Sequence, residues 1–258
     1  MKALQEKSAA TTNKKLAGKV ALVTGGSRGI GAGIARRLAD EGAHVAVSYA
    51  RNKQAADDVV ASLKELGVKA LAVKADAASE KESQHLVEEV IKEFGRIDIL
   101  VNNAGVFEPL PLQQVTIDHY NRLFDVNVKG VIATTIAAVD KIAEGGRIIN
   151  VSSVAATASV AGFSVYSATK SAVDTLTRIW AQELGSRKIT VNAVAPGATA
   201  SDMYDTLPEE AKAGLIEKTA LGRVGQPEDI ASLVAFLASE DGGWITGQSI
   251  RSDGGTNF

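Results

Sequence analysis

The chain has 258 residues, of which 45% are hydrophobic and 22% charged, and its formal net charge is −2. That length allows one large domain with an ample core, and the balanced charge argues against nucleic acid or an anionic membrane as a partner. The absence of cysteine excludes disulfides and thiolate metal sites, and the three histidines are isolated from one another, so no metal site is predicted.

Residues 1–15 form a polar segment ahead of the first apolar run. This segment lacks the apolar core of a secretory signal, and no later run reaches the ~18 apolar residues of a membrane span. We therefore expect a flexible tail at residues 1–15, one folded domain at residues 16–258, and a cytoplasmic protein.

Short apolar segments alternate with segments of helical periodicity along the rest of the chain. In chain order we predict the strand Lys19–Thr24, the helix Ile30–Glu41, the strand His44–Tyr49, the helix Lys53–Leu66, the strand Lys69–Lys74, the helix Ser79–Phe94, the strand Ile97–Val101, the helix Thr116–Ile142, the strand Arg147–Val151, a helix that carries Tyr166 and ends near Leu184, the strand Ile189–Ala195, the helix Pro227–Ala238 and the strand Gln248–Ser252. The strands are too apolar to leave one face in water, which is typical of a parallel sheet covered on both faces. The prediction is an α/β fold, a single-domain doubly wound (Rossmann) sheet of seven parallel strands.

A glycine-rich segment, Thr24 to Gly31, links the first predicted strand to the first helix. Glycines there let the backbone turn tightly and approach a pyrophosphate, and the N-terminus of the following helix offers free N–H groups. An ordinary glycine-rich turn is the alternative. The position of this segment in the first βαβ unit favours a dinucleotide site.

Tyr166 and Lys170 are four residues apart in a predicted helix, so their side chains share one face. An ammonium beside a phenol favours the phenolate and lowers the tyrosine pKa, which suits the tyrosine to exchange a proton with a carbonyl or alcohol oxygen. Pairs with this spacing are also common on helix surfaces, so the pair alone does not establish a catalytic site.

The Gly-x-x-x-Gly-x-Gly spacing at Gly25–Gly31 resembles that of the short-chain dehydrogenases/reductases, and further motifs of that family follow in order. Asn102-Asn103-Ala104-Gly105 follows the fourth strand, Ser153 lies thirteen residues before the tyrosine, and Pro196-Gly197 follows the sixth strand. The resemblance covers essentially the whole predicted domain. Within the family, the chain is similar to bacterial 3-oxoacyl-[acyl-carrier-protein] reductases.

The resemblance implies four catalytic residues acting beside a nicotinamide cofactor: Asn127, Ser153, Tyr166 and Lys170. It implies that Ser153 hydrogen-bonds the substrate oxygen and that Tyr166 transfers the proton. Lys170 would lower the tyrosine pKa and hold the nicotinamide ribose, and Asn127 would position a water linking Lys170 to solvent. Turn capping is the alternative role for Ser153 and its neighbour Ser152, and bracing of backbone is the alternative for Asn127.

The predicted cofactor contacts lie after the ends of the strands, beside the catalytic pair itself. They are Gly25, Ser27, Arg28, Gly29, Ile30, Gly31, Ser48, Tyr49, Arg51, Asn52, Asp76, Ala77, Asn103, Ala104, Gly105, Tyr166, Lys170, Pro196, Gly197, Thr199 and Ser201.

The second strand ends without a carboxylate, in the segment Val47 to Asn52. An acidic side chain there would bond the ribose hydroxyls of NAD and repel a 2′-phosphate. Arg28 and Arg51 can instead pair with a phosphate, and Ser48 and Asn52 can add hydrogen bonds. We predict NADP(H) as the cofactor, the alternative being that both arginines are solvated surface charges.

Residues 198–221 mix charges with the apolar side chains of Met203, Tyr204, Leu207 and Leu215. Because this segment follows the predicted nicotinamide contacts, we predict that it is a substrate lid. Ordinary surface helices have the same composition, so the composition does not choose between the two.

Phe107–Leu112 and Ala155–Phe163 each follow a strand end and should complete the pocket rim, which favours a moderately apolar carbonyl substrate. Reductases of carrier-protein thioesters dock the acidic carrier on basic residues before the serine-bearing strand and at the end of the catalytic helix. Arg187 fits the second place, but the first, Ala143–Gly146, holds a carboxylate. We predict an NADPH-dependent ketone or aldehyde reductase, an oxidoreductase of the CH–OH class, with a 3-oxoacyl carrier thioester as the alternative substrate.

Two functions outside reductase chemistry are also compatible with the fold. One is a non-catalytic module that binds NADPH, which would not need the serine, tyrosine and lysine together. The other is an isomerase, dehydratase or epimerase, which usually needs an added acid or base in the lid. The family resemblance further implies a homotetramer or homodimer, with the region around Trp244 and Ile245 compatible with an interface or with core packing.

Overall fold

The computed structural model describes residues 14–205 and 207–256, without the side chains of residues 202 and 203. The predicted tail therefore lies almost wholly outside the described residues. The strands are β1 (Val20–Val23), β2 (His44–Tyr49), β3 (Ala70–Lys74), β4 (Ile97–Asn102), β5 (Ile142–Val151), β6 (Thr190–Pro196) and β7 (Ser249–Ser252). They form one sheet in the order β3-β2-β1-β4-β5-β6-β7, and every pair of neighbours is parallel. The predicted doubly wound fold is confirmed.

The helices cover both faces of this sheet. They are α1 (Gly29–Asp40), α2 (Lys53–Glu65), α3 (Glu80–Phe94), α4 (Ile117–Phe124), α5 (Gly130–Val139), α6 (Ser164–Leu184), α7 (Asp202–Asp205), α8 (Glu209–Glu217) and α9 (Pro227–Ala238). One core cluster joins the sheet to α1, α2 and α9, and a second joins it to α3, α5 and α6. Since both faces are covered, every residue of β1, β4 and β6 is buried, as their apolar sequences predict.

The predicted helix Thr116–Ile142 is wrong in two places. A π-helical segment, Asp125–Lys129, separates α4 from α5. The helix ends at Val139, and Ile142 instead begins β5, where it is buried and pairs with Ile97. The apolar periodicity of the chain does not report either change, because both depend on contacts with β4 and the loop after it.

Most other element ends agree with the prediction to within one or two residues. The hydroxyl of Ser79 accepts a hydrogen bond from the Glu82 amide, as expected for the cap of α3. Within residues 14–205 and 207–256, no helix is long and apolar enough to cross a bilayer. The same residues contain no cluster of three or more acidic or histidine side chains placed to hold a metal ion.

The sheet topology determines where a ligand can bind. Because all strands are parallel, their carboxyl ends share one edge of the sheet. The chain leaves β1 toward β2 on one side and β4 lies on the other side, so a crevice opens between them at that edge. The glycine turn after β1 and the serine, tyrosine and lysine near the end of β5 all reach this crevice.

Candidate active site

The glycine turn between β1 and α1 is held by short hydrogen bonds. Gly25 has a φ of +63°, and its amide donates to the Ser48 hydroxyl over 3.1 Å. The Asn103 side-chain amide donates to the carbonyls of Thr24 and Gly25 over 2.9 and 3.0 Å. A Cβ on Gly31 would lie 2.4 Å from the Gly25 carbonyl oxygen, so the start of α1 packs directly against the turn. A ligand can therefore approach the backbone of this turn closely.

Several residues predicted to contact the cofactor accept hydrogen bonds from backbone amides and so stabilise the loops at the carboxyl edge of the sheet. Ser48 is 4% exposed, and its hydroxyl accepts the bond from Gly25. Asn52 caps α2 by accepting from the Ala55 amide over 3.0 Å, and Asp76 accepts from the Ala78 amide over 3.0 Å. The side chains of Ser48 and Asn103 thus shape the cradle from behind, a role that the sequence patterns did not separate from direct contact.

The remaining predicted contacts lie at or after the carboxyl ends of β1 to β4 and β6. They are Ser27, Arg28, Gly29, Ile30, Tyr49, Arg51, Ala77, Ala104, Gly105, Pro196, Gly197, Thr199 and Ser201. Ser201 lies across the mouth of the cradle, because its Cβ is 3.6 Å from where a Cβ on Gly29 would stand. Arg28 and Arg51 are both exposed at the β1–β2 side of the crevice. The turn, the N-terminus of α1 and these two cations fit a phosphate-bearing dinucleotide.

Lys170 is buried on the inward stripe of α6, 5% exposed. Its ammonium donates to the Val151 carbonyl at the end of β5 over 2.9 Å and lies 5.7 Å from the centre of the Tyr166 ring. The Tyr166 phenol is hydrogen-bonded to Ser153. The structure therefore brings Ser153, Tyr166 and Lys170 together, although the serine is in a different element.

Burial is the main cause of the pKa shifts of Tyr166 and Lys170. It raises the pKa of Tyr166 to about 12, with the Ser153 hydrogen bond acting in the lowering direction. Burial also lowers the pKa of Lys170 to about 8, with the charge of Asp174 acting in the raising direction. We expected the neighbouring lysine to lower the tyrosine pKa, whereas in this structure burial raises the pKa of Tyr166 above its ordinary value.

Asn127 lies in the π-helical segment and is 1% exposed. Its side-chain amide donates to the Val106 carbonyl over 2.9 Å and to the Thr169 hydroxyl over 3.2 Å, and its oxygen accepts from the Val106 amide over 2.8 Å. A Cβ on Gly105 would stand 3.3 Å from the Asn127 oxygen and 3.6 Å from the Lys170 nitrogen. Asn127 therefore braces the loop after β4, the alternative role above, and it does so beside the lysine.

The two neighbouring serines have different partners. Ser152 is buried, and its hydroxyl donates to the Lys170 carbonyl over 3.3 Å, which links β5 to α6. Ser153 is partly exposed, and its hydroxyl accepts from the Ala155 amide over 3.1 Å. Ser153 therefore caps a short 3-10 turn and faces Tyr166 at the same time.

An aromatic corner, formed by Phe107 and Phe163, flanks the Tyr166 ring. Phe107 lies 4.8 Å from Tyr166 and 5.0 Å from Phe163, centre to centre, and both pairs are edge-to-face at 78°. The Leu110 amide donates to the Gly162 carbonyl over 2.9 Å, which joins the two predicted rim segments. Both phenylalanines keep part of their surface exposed, so they form an apolar wall beside the phenol.

Residues 198–221 contain α7 and α8 and are anchored at both ends. Near the start, Thr199 pairs with Gly225, and near the end the Leu221 amide donates to the Gly254 carbonyl. No residue of α8 is buried, and Leu221 is 70% exposed. Of the apolar side chains predicted for the lid, that of Met203 lies outside the described residues.

The two places compared above with carrier-docking surfaces make contacts within the chain. The Arg187 guanidinium donates to the carbonyls of Val139 and Ile142 over 2.8 and 2.5 Å, so it closes the junction between α5 and β5. Glu144 pairs with Lys188 over 2.8 Å at the surface. Arg187 thus has a structural role that the sequence did not indicate.

Sequence reasoning also missed Asp174, a buried carboxylate one helical turn after Lys170. Its spacing of four residues was a visible signal, because the inward stripe of a helix repeats at that interval. The aromatic partners of Tyr166 lie in the two predicted rim segments, but their edge-to-face packing depends on the contact of Phe107 with a helix more than fifty residues later in sequence.

Comparisons with known proteins agree with this architecture. The family model described as enoyl-(acyl carrier protein) reductase matches residues 25–257. An uncharacterized oxidoreductase of Methylorubrum extorquens is 49% identical over 93% of this chain and 98% of its own. The 3-oxoacyl-[acyl-carrier-protein] reductase FabG of Staphylococcus aureus is 45% identical over 92% of this chain and 97% of its own.

A solved structure extends the similarity to three dimensions. A short-chain dehydrogenase from Burkholderia cenocepacia, solved in complex with NADP, is 43% identical, with a TM-score of 0.90 over 93% of this chain and 98% of its own. Matches of this extent and identity, together with the glycine turn and the serine, tyrosine and lysine, show that the chain belongs to the short-chain dehydrogenase/reductase family of oxidoreductases.

Proposed function

We propose that this oxidoreductase uses NADPH to reduce an apolar ketone or aldehyde to an alcohol. The observation that carries the proposal is the meeting of Ser153, Tyr166 and Lys170 at the same edge of the sheet as the glycine turn. A hydroxyl pair next to a buried ammonium can bind a carbonyl oxygen and protonate it, and a bound nicotinamide would supply the hydride.

Each residue has a role that its surroundings support. Ser153 is partly exposed and can donate to a substrate oxygen. Tyr166 has a pKa of about 12, so it carries its proton at neutral pH, as a donor must. Lys170 has a pKa of about 8 and is mostly charged at pH 7, so it favours negative charge developing on the phenolate. Asn127 holds the loop that lies against Lys170.

The choice of NADPH rests on charge at the end of β2. Arg28 and Arg51 are exposed there, and the segment Val47 to Asn52 contains no carboxylate that would repel a 2′-phosphate. The NADP complex of the related Burkholderia cenocepacia enzyme supports the same choice. The remaining predicted cofactor contacts would bind the rest of the nucleotide between this end of the cradle and Tyr166.

The proposed substrate class follows from the aromatic corner. Phe107 and Phe163 present apolar ring surface next to the proton donor, and the neighbouring Val154 and Ala155 are buried. A carbonyl compound with an apolar group on one side of the reacting carbon would place that group against the rings. Residues 198–221 would cover it from the opposite side.

A 3-oxoacyl carrier thioester is the second candidate substrate, favoured by the 45% identity to FabG of Staphylococcus aureus. The docking surface argues against it. Arg187 uses its guanidinium on backbone carbonyls, and Lys188 is paired with Glu144, so these two cations already have partners within the chain.

The test is cofactor oxidation by the purified protein, with NADPH and NADH in parallel, over aryl ketones, β-ketoesters and an acetoacetyl thioester. We expect NADPH consumption with the ketones and esters, in one-to-one ratio with alcohol formed. Activity confined to the thioester would favour the second candidate. NADPH binding without turnover would favour a binding module, and product formed without NADPH consumption would favour an isomerase or dehydratase.

We further propose a homotetramer, with a homodimer as the alternative. Two separate faces carry exposed apolar side chains: Ile136 and Ile179 on α5 and α6, and Phe236 and Trp244 on and after α9. Trp244 is 99% exposed, which excludes core packing within one chain. Two distinct self-complementary faces would build a tetramer with three two-fold axes. Light scattering should therefore give four chains for the protein and two for Trp244→Glu.

A further inference from the structure

A second buried ionisable group lies behind the catalytic lysine. Asp174 follows Lys170 by one helical turn on α6, and both belong to the inward stripe of that helix. Asp174 is 8% exposed and Lys170 is 5% exposed. None of the roles described above uses this carboxylate, and a buried carboxylate is costly unless it is bonded or paired with a positive charge.

Strand β7 holds Asp174 in place. The Ser249 hydroxyl donates to an Asp174 carboxylate oxygen over 3.0 Å. The two residues are 75 positions apart, so this contact joins the catalytic helix to the last strand of the sheet. The carboxylate is thereby directed between α6 and the sheet, on the side of the helix from which Lys170 also extends.

The groups that face Lys170 are few. Tyr166 and Asp174 lie on its own helix, the Val151 carbonyl comes from β5, and Asn127 comes from the π-helical segment. Val151 and Asn127 carry no ionisable group, and the tyrosine is protonated at neutral pH. Among the described residues, Asp174 is thus the negative charge that acts on the lysine, against the effect of burial.

We propose that Asp174 is a positioning residue for the reaction: its buried carboxylate, anchored by Ser249, keeps the buried Lys170 side chain charged. This inference rests on the proposed function, since it assigns Asp174 a part in the same site. It also makes β7 part of the catalytic apparatus, because loss of the Ser249 bond would let the carboxylate rotate away.

The first experiment compares pH profiles of kcat for the wild type, Asp174→Asn, Ser249→Ala and Glu183→Gln. Glu183→Gln is the matched control, since it makes the same change at an exposed position of α6. We expect the alkaline limb of Asp174→Asn to move to lower pH, so that its activity at pH 8 relative to pH 6.5 falls about threefold or more below the wild-type ratio. Ser249→Ala should move in the same direction by less. Profiles of identical shape in Asp174→Asn and wild type would overturn the proposal.

The second experiment observes Lys170 without turnover. Protein labelled with ¹³C at the lysine ε-carbons is titrated by NMR, with the Lys170 signal assigned from its absence in Lys170→Met. The midpoint should be lower in Asp174→Asn than in wild type and unchanged in Glu183→Gln. An unmoved midpoint rejects the proposal, and Ser249→Ala supplies the same test if Asp174→Asn does not fold. A shifted midpoint in a protein that reduces no carbonyl would reject the proposed function and leave the effect of Asp174 on Lys170 standing.

Discussion

The two ends of the crevice are built by different means. The glycine turn is shaped by backbone, with a left-handed glycine, a close approach at Gly31 and short bonds from Ser48 and Asn103. The catalytic corner is shaped by side chains, with a buried lysine, a buried carboxylate and a partly buried tyrosine. One end binds by leaving space for a ligand beside the backbone at a helix N-terminus, whereas the other reacts because desolvation changes proton affinities.

This difference predicts that the two ends fail in different ways. Side-chain changes in the corner should remove chemistry and spare binding of the cofactor. Backbone changes at the turn should remove binding and stability together, because the same atoms serve both.

Tyr166→Phe should separate catalysis from cofactor binding most clearly. The substitution keeps the ring in the aromatic corner and removes the proton donor, so kcat should fall about 10²- to 10⁴-fold. Affinity for NADPH should change little, which nucleotide fluorescence titration can measure. Substantial residual kcat would identify another acid and break the assignment of chemistry to this corner.

At the turn, Gly31→Ala should lower the free energy of unfolding by about 2 kcal/mol, because its Cβ would lie 2.4 Å from a backbone oxygen and 2.5 Å from the Asn103 amide nitrogen. NADPH affinity should fall in parallel. Gly214→Ala in α8 is the control: its Cβ meets nothing within 4 Å, and alanine there should stabilise by roughly 0.5–1 kcal/mol. Urea unfolding with and without NADPH checks both, and equal behaviour of the two variants would contradict the close packing at Gly31.

The buried lysine should make the free energy of unfolding depend on pH. The pKa of Lys170 is about 8 in the folded chain and ~10.4 in the unfolded chain. Between these values the unfolded state binds more protons, so the contribution of this group to stability rises with pH in that window. Tyr166, with its pKa raised to about 12, opposes this above pH ~10, when the unfolded phenol ionises. Between pH 8 and 10 the wild type should therefore gain on the order of 2 kcal/mol relative to Lys170→Met. Urea unfolding at several pH values measures the difference, and parallel curves would show that the ammonium is better hydrated than its burial implies.

The smallest expected effect is a loss of cofactor affinity at Arg28 and Arg51, the predicted contacts of the 2′-phosphate. Arg28→Ala should weaken NADPH binding about tenfold and NADH binding within about twofold, since a charge-assisted bond to the 2′-phosphate is lost from one cofactor alone. Arg51→Ala should act in the same direction. Measured dissociation constants of each variant for NADPH and NADH test both expectations. Equal losses of affinity for NADPH and NADH would mean that Arg28 stabilises the glycine turn and does not bind the 2′-phosphate.

Local sequence was sufficient for the repeating parts of the fold and for the glycine turn. Apolar runs such as Val20–Val23 and caps such as Ser79 depend on neighbours within a few residues, so their chemistry is visible in order along the chain. The positions of Ser153, Tyr166 and Lys170 were visible as a spacing, read through the family resemblance.

Tertiary structure decided how those residues behave. Contacts between segments that are distant in sequence fixed the bonds of Asn127 to the loop after β4, the packing of Phe107 on Tyr166, the backbone bonds of Arg187 and the bond between Ser249 and Asp174. Spacing predicts that a lysine and a tyrosine share a helix face, but desolvation depends on every atom packed around them. For that reason the sequence by itself determined which residues meet at the crevice, and only the folded packing determined their proton affinities.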